Sequence, residues 1–187
     1  MQTVCEFCKS VLIRTDLDLQ KVGLVADLPP NSSPIQIGAE GVYGKRSFVA
    51  IGRIVYEYDQ GNWNEWHLMM NDGTSGWLSD AQLDYAVTFA AQGQKLPREC
   101  RVGQNYTWNN QTYTVSSITK AHYRGVEGEL PFQYWDKSDV VFVDLMSRTE
   151  KFATIDYSEN PPLLFLGESV DFDSLKLKNL RSFEGWS

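Results

Sequence analysis

Cys5 and Cys8 lie in the opening segment MQTVCEFCKS, with two residues between them. Two thiolates at that spacing can grip one tetrahedral zinc ion from a single turn. A closed structural site needs four ligands, and the remaining candidates of the usual kind are Cys100, His67 and His122. Neither histidine belongs to a second paired motif. The pair therefore reads as a zinc half-site completed by Cys100, by a histidine or across a homodimer, as a vestigial site, or as two ordinary reduced cysteines on a turn. A redox role is disfavoured because no βαβ pattern surrounds the motif.

Carboxylates and tryptophans make a second set. Glu65 and Glu129, with Glu127 nearby, could serve acid/base chemistry if their surroundings split their pKa values. They could equally hold a cation such as a polyamine or a divalent metal, or form salt bridges to Arg53 or Arg124. Trp63, Trp66 and Trp77 fall in neighbouring expected strands, and Trp135 in a later one. Trp63 and Trp66 are three residues apart and face opposite sides of a regular strand. One face can be core and the other a binding surface, although a small β core needs bulky fillers and can absorb all of them. The candidate binding residues are thus Trp63, Glu65, Trp66, Trp77, Glu129 and Trp135. No catalytic set emerges: two isolated histidines and no elbow motif argue against Ser-His-Asp or Cys-His chemistry, and no phosphate-cradling glycine loop is present.

These residues must be positioned by strands. β-Branched and aromatic residues cluster in short runs bounded by turn formers. Strands are expected at 47–58, 63–70, from 76, at 112–118, 130–135, 140–146, 151–157 and 163–166. Stretch 86–91 fits a strand or a short helix, and 174–181 an edge strand guarded by lysines. Gly52 inside an apolar run marks a bulge or sharp coil, and Asn71-Asp72-Gly73-Thr74 a hairpin turn. The segment 156–162 reads as a polar loop that could carry a binding surface, or as a plain strand connection stiffened by proline. A proline-rich breaker at 29–34 and a linker at 92–97 divide the chain into 1–33, 34–92 and 98–187.

The last two segments look related. Gly38, Tyr43 and Phe48 precede Gly103, Trp108 and Tyr113 by the same offset, 103−38 = 108−43 = 113−48 = 65. A one-residue slip then aligns Glu65 with Glu129, Asp72 with Asp136 and Leu78 with Phe142. The expected fold is mainly β: two related small barrel- or sandwich-like halves packed together, behind a short N-terminal Cys-x-x-Cys segment.

A net charge of −7 with interspersed signs lacks the basic face of a nucleic-acid binder. No apolar stretch approaches the roughly 20 residues that cross a bilayer, so direct membrane insertion is not expected. The N-terminus has no basic start leading into an apolar run, so cytoplasmic residence is expected. Three cysteines are poor material for a disulfide framework.

The string SPIQIGAEGVYGKRSFVAIGRIVYEYDQGNWNEWHLMMNDGTSGWLSDAQ resembles the first half of the bacterial domain-of-unknown-function family DUF4178. The strings GELPFQYW, FATIDYSENPPLLFLGESVDFDSLKL and NLRSFEGW resemble its second half. The resemblance implies a bacterial protein whose relatives often carry a preceding Cys-x-x-Cys segment. Their genes lie near those for phage-shock-type membrane-remodelling proteins and polyamine-synthesis enzymes, which implies an accessory role in envelope stress. It supplies no catalytic residues. The preferred expectation is a non-enzymatic binding or scaffold protein with a protein partner. The alternatives are a small-ligand or polyamine-like cation sensor binding between the two halves, and a hydrolase or transferase with an acidic site around Glu65, Glu129 and Asp144.

Overall fold

The computed structural model describes residues 33–132 and 139–182, together with the backbone of 2–4, 10–15 and 18–24. Strands β1 (Gln2–Val4), β2 (Ser10–Thr15) and β3 (Asp18–Leu24) form a three-stranded antiparallel sheet of their own. The next five strands, β4 (Glu40–Tyr43), β5 (Arg46–Tyr58), β6 (Gly61–Met70), β7 (Ser75–Ala81) and β8 (Asp84–Ala91), each pair with the strand that follows. Strands β9 (Asn105–Trp108), β10 (Gln111–Gly128), β11 (Val140–Met146), β12 (Lys151–Asp156) and β13 (Leu163–Ser169) do the same. Two antiparallel seams, β5 to β10 and β8 to β13, join the runs. The order β5-β6-β7-β8-β13-β12-β11-β10 therefore closes into an eight-stranded antiparallel barrel. Neither run closes by itself, so the picture of two barrels packed side by side gives way to one barrel with four staves from each run. Closure removes the free edges that an open sheet would expose.

Local sequence explains most of these strands. Gly52 does sit at a bulge, where the β5–β6 register shifts between Ala50 and Gly52. Asp72 shapes the β6–β7 turn by accepting the Thr74 N–H at 2.9 Å, with Gly73 at φ 82°. The segment 86–91 belongs to strand β8. Strand β10 runs 18 residues, far past the expected end at 118. Its second part, Thr119 to Gly128, carries Lys120, His122, Arg124 and Glu127, polar residues that mask the pattern of a strand with one solvated face. The residues 130–132 lie outside any strand, and the rest of the stretch expected to pair there, 133–135, is outside the described residues. The tail is not the expected edge strand. It opens with a 3-10 helix (Phe172–Leu175), turns at Lys176 with φ 48°, and meets the sheet through one bridge, Lys178 to Glu40. Its leucines alternate because Leu175 plugs the core and Leu177 lies against it across that turn.

Much of the barrel wall is buried on both sides, although β10 keeps an exposed face at Lys120, His122 and Arg124. One outer face carries Phe48, Ala50, Trp66, Leu68, Leu78 and Val87, capped by Ile35, Ala39 and Leu175. The other carries Tyr113, Val115, Val143, Leu145, Ile155 and Leu164, capped by Trp108. Ile54, Tyr56, Trp77, Ala121, Val140 and Phe142 form a third cluster on the opposite, inner side. Burying a side chain such as Leu68 or Ile155 contributes about 1.5–3 kcal/mol relative to exposure. No helix among the described residues is long and apolar enough to cross a membrane.

The seams demand close backbone approach. A Cβ on Gly167 would stand 1.8 Å from the Val87 carbonyl oxygen, and one on Gly52 1.9 Å from that of Glu129. Gly167→Ala is expected to destabilise the protein by about 2–4 kcal/mol, because backbone rather than a flexible side chain must give way. Gly93→Ala, where the space is open but φ is 76°, should cost only about 1 kcal/mol. Denaturant titrations of the two variants against the parent check the contrast.

Candidate functional site in the barrel lumen

Residues from all eight staves line a cavity of about 2100 Å³ inside the barrel. The strand period of two sends alternate side chains inward. Thus β6 contributes Trp63 and Glu65, β7 Trp77 and Ser79, β11 Phe142 and Asp144, and β12 Thr154 and Asp156. Seven of the residues around the cavity carry a carboxylate, and one, Arg181, a guanidinium.

Glu65 is held by its cross-strand neighbours. Its register partners are Ile54 on β5 and Ser79 on β7. The Ser79 Oγ lies 2.8 Å from Oε1 and 2.9 Å from Oε2, and Trp63 donates its Nε1–H to Oε1 at 3.0 Å. Burial pushes the Glu65 pKa up to about 7; the bonds from Ser79 and Trp63 oppose the shift, and the charges of Asp144 and Asp156 add to it. Asp144 is built the same way. Its register partners are Ser117 and Thr154, and Ser117 donates to Oδ2 at 2.9 Å. Burial raises its pKa too, against hydrogen bonds from Thr154 and Ser117. Asp156, the last residue of β12, accepts the Ser158 N–H at 2.7 Å.

Aromatic rings form the apolar part of the wall. Tyr56 stacks on Trp63 at 5.1 Å between centroids, and Phe142 meets their rings edge-on at 4.8 and 5.5 Å. Trp77 stacks on Phe132 at 5.7 Å. Rings this close touch one another and leave no slot for a group between them. They form a continuous apolar wall beside the carboxylates.

The structure places the expected residues in three locations. Trp63, Glu65 and Trp77 reach the lumen, and so does Asp144. Trp66 points the other way, fully buried at 0 % exposure, with Nε1 donating to Asp80 at 3.4 Å and Arg53 stacked 5.4 Å above its ring. Glu129 lies beyond the end of β10, and its backbone carbonyl accepts the His67 Nδ1–H at 2.8 Å. His67 Nε2 then accepts from Ser75 at 3.0 Å, and burial lowers the His67 pKa, so this imidazole is a neutral clamp on the Glu129 segment. Glu65 and Glu129 therefore do not come together in the lumen. Arg53 pairs with Glu127 at 3.3 Å, not with Glu65. Cys5, Cys8 and Trp135 lie outside the described residues. Among the described residues no group of three or more His, Cys, Asp or Glu is arranged to hold a metal ion.

Ser79, Ser117 and Thr154 line the cavity and were not singled out from sequence, whereas Asp156 opens the polar segment 156–162 noted there. A legible signal existed for one of their neighbours: in VVFVDLM the acid Asp144 shares the strand face of Phe142, where an apolar residue is normal.

The chain is thus a closed antiparallel β-barrel with a carboxylate-bearing, aromatic-walled lumen. The chain belongs to the DUF4178 family, described as a domain of unknown function, whose model matches residues 36–172. No curated protein and no solved structure matches it.

A raised folded-state pKa makes a buried acid destabilising once it must ionise. For Glu65 the unfolded chain loses its proton near 4.5 and the folded one near 7. The folded state thus binds more protons between those values, and stability falls as pH rises through that window, by about 3 kcal/mol in all. Glu65→Gln, which mimics the protonated form, should match the parent near pH 4.5 and exceed it in stability at pH 8. Melting curves at the two pH values check this.

Proposed function

We propose that the protein is a non-enzymatic binding protein that takes a small organic cation of polyamine-like type into the barrel lumen. The observation that carries this reading is the charge imbalance of the cavity, seven carboxylates to one guanidinium, two of those acids being deeply set in Glu65 and Asp144. Buried carboxylates gain most from a partner that brings both positive charge and N–H donors. The aromatic wall of Tyr56, Trp63 and Phe142 suits the methylene segments of such a ligand and adds attraction between ring faces and cationic groups. A primary or secondary ammonium fits better than a quaternary one, because carboxylates reward N–H donation and the rings are too close together to cage a trimethylammonium.

We further read the two five-stranded runs as copies of one unit. The β4–β5 hairpin pairs Gly41 with Phe48, and the β9–β10 hairpin pairs Tyr106 with Tyr113, both displaced by 65. The lead-in repeats at the same offset: the Gly38 N–H bonds the Ala50 carbonyl at 2.8 Å, and the Gly103 N–H that of Val115 at 2.9 Å. From β6 onward the displacement is 77, so that Met69–Ser75 matches Met146–Phe152. Both seams pair a residue with its own counterpart: Glu57 with His122 (122−57 = 65) and Phe89 with Leu166 (166−89 = 77). On this reading the lumen lies where the inner faces of two copies meet, as a site between the halves requires. Its acids arose by divergence, Asp144 standing opposite His67 and Asp156 opposite Ser79 in the paired positions.

Titration calorimetry with spermidine at pH 8 tests the binding reading. Saturable one-to-one binding is expected, and Asp144→Asn should weaken it about 10–100-fold, the worth of one charge-assisted hydrogen bond. Absence of binding, or an Asp144→Asn protein that binds as tightly as the parent, would count against the lumen as a cation site.

A further inference from the structure

We propose that the lumen takes up its cation in exchange for a proton held on Glu65, so that ligand affinity is controlled by pH. This rests on the reading of the lumen as a cation site and adds a regulatory property to it.

The hydrogen-bond geometry supports a protonated acid in the empty lumen. Glu65 Oε1 already accepts the Trp63 Nε1–H at 3.0 Å. Both carboxyl oxygens then lie within 2.9 Å of the same Ser79 Oγ. A serine hydroxyl has one proton to give. If Glu65 is ionised, that single proton must be shared between two acceptors. If Oε2 carries a proton, it donates to the Ser79 oxygen while the Ser79 O–H donates to Oε1, and every contact is satisfied.

The surrounding charges favour the same state. β11 presents Asp144 and β12 presents Asp156, and both act on Glu65 as negative charges. β7 offers Ser79 and Trp77, β5 Ile54 and Tyr56, β8 Ala86 and Thr88, β10 Ser117 and Thr119, and β13 Phe165 and Ser169, none of them a cation. On β6 itself, burial lowers the pKa of His67 and favours its neutral form, against the opposing pull of its bond to Glu129. Asp84, Glu150, Glu159 and Asp171 are further acids around the cavity, and Arg181 is its one guanidinium. With anions on two facing strands and burial against ionisation, a proton is the counter-charge that the empty site holds. An entering ammonium group replaces it: the Oε2–H bond breaks, the proton leaves to solvent, and the N–H donates to the freed carboxylate. The upward shift of the Glu65 pKa to about 7 agrees with this exchange and places it near neutrality.

Alkylammonium groups stay charged throughout this range, so the protein alone sets the pH dependence. Spermidine affinity is expected to rise about tenfold per pH unit between pH 5.5 and 6.5 and to flatten above pH 8. Calorimetry at pH 6 in buffers of different ionisation enthalpy should show about one proton released per ligand, and almost none at pH 8.5. In Glu65→Gln both the slope and the proton release should vanish while weaker binding persists. In Asp144→Asn affinity should fall with the slope intact. Carboxyl carbon NMR of the parent protein gives an independent readout: the Glu65 midpoint should drop when spermidine saturates the lumen. Binding that is equally tight from pH 5.5 to 8 without proton release, or a Glu65 midpoint that spermidine leaves unmoved, would overturn the exchange while leaving the cation site standing. No binding at any pH would instead overturn the site reading itself.

Discussion

Closure through the two seams, β5 to β10 and β8 to β13, is the constraint on which the rest depends. A sheet that closes has an inside, and every strand in it must serve two environments at once. Here the outer faces are sealed by the flanking strands β4 and β9, the 33–39 lead-in and the tail, which leaves the inner faces to define a cavity. The seams need backbone to approach backbone where a Cβ cannot fit, hence Gly52 facing the Glu129 carbonyl and Gly167 facing that of Val87. His67 reinforces the first of these points by clamping the same carbonyl. The glycines and the histidine thus hold the walls in place, and they do so away from the carboxylates that give the lumen its character.

That character is an electrostatic tension. Glu65 and Asp144 are each met by hydroxyls from adjacent strands, which lowers the cost of ionisation without removing it. A fold selected for stability alone would fill these positions with apolar residues. Retaining buried acids against aromatic walls is intelligible if something positively charged visits them. Desolvation, with the charges of Asp144 and Asp156 adding to it, raises the Glu65 pKa to about 7.

The strand content and several turns were legible because they are local. Val, Ile, Phe and Tyr at 47–58, the Asn-Asp-Gly turn and the bulge at Gly52 follow from side-chain shape and backbone freedom. The β7–β8 turn was not, because Gln82 and Leu83 adopt φ of 53° and 75° without the Gly or Asn that would announce it. The length of β10 was missed for a related reason: Lys120, His122 and Arg124 in its second part look like loop until β5 is seen beside them. Glu65 and Trp63 were found by residue type. Glu129 was grouped with Glu65 by an alignment slip, since nothing in the chain marks that the two runs differ by a long β10 and its following loop.

Sequence alone determined a β-rich chain and the opposed faces of Trp63 and Trp66, because both depend on period and composition along the chain. Tertiary structure alone decided that the runs share one barrel, that Glu65, Asp144 and Asp156 meet in one lumen, and that Glu129 does not join them. Those are consequences of which strands pair across the seams. Pairing between residues as far apart as Glu57 and His122 is chosen by the total burial and hydrogen bonding of the closed sheet, a quantity that no local stretch of sequence contains.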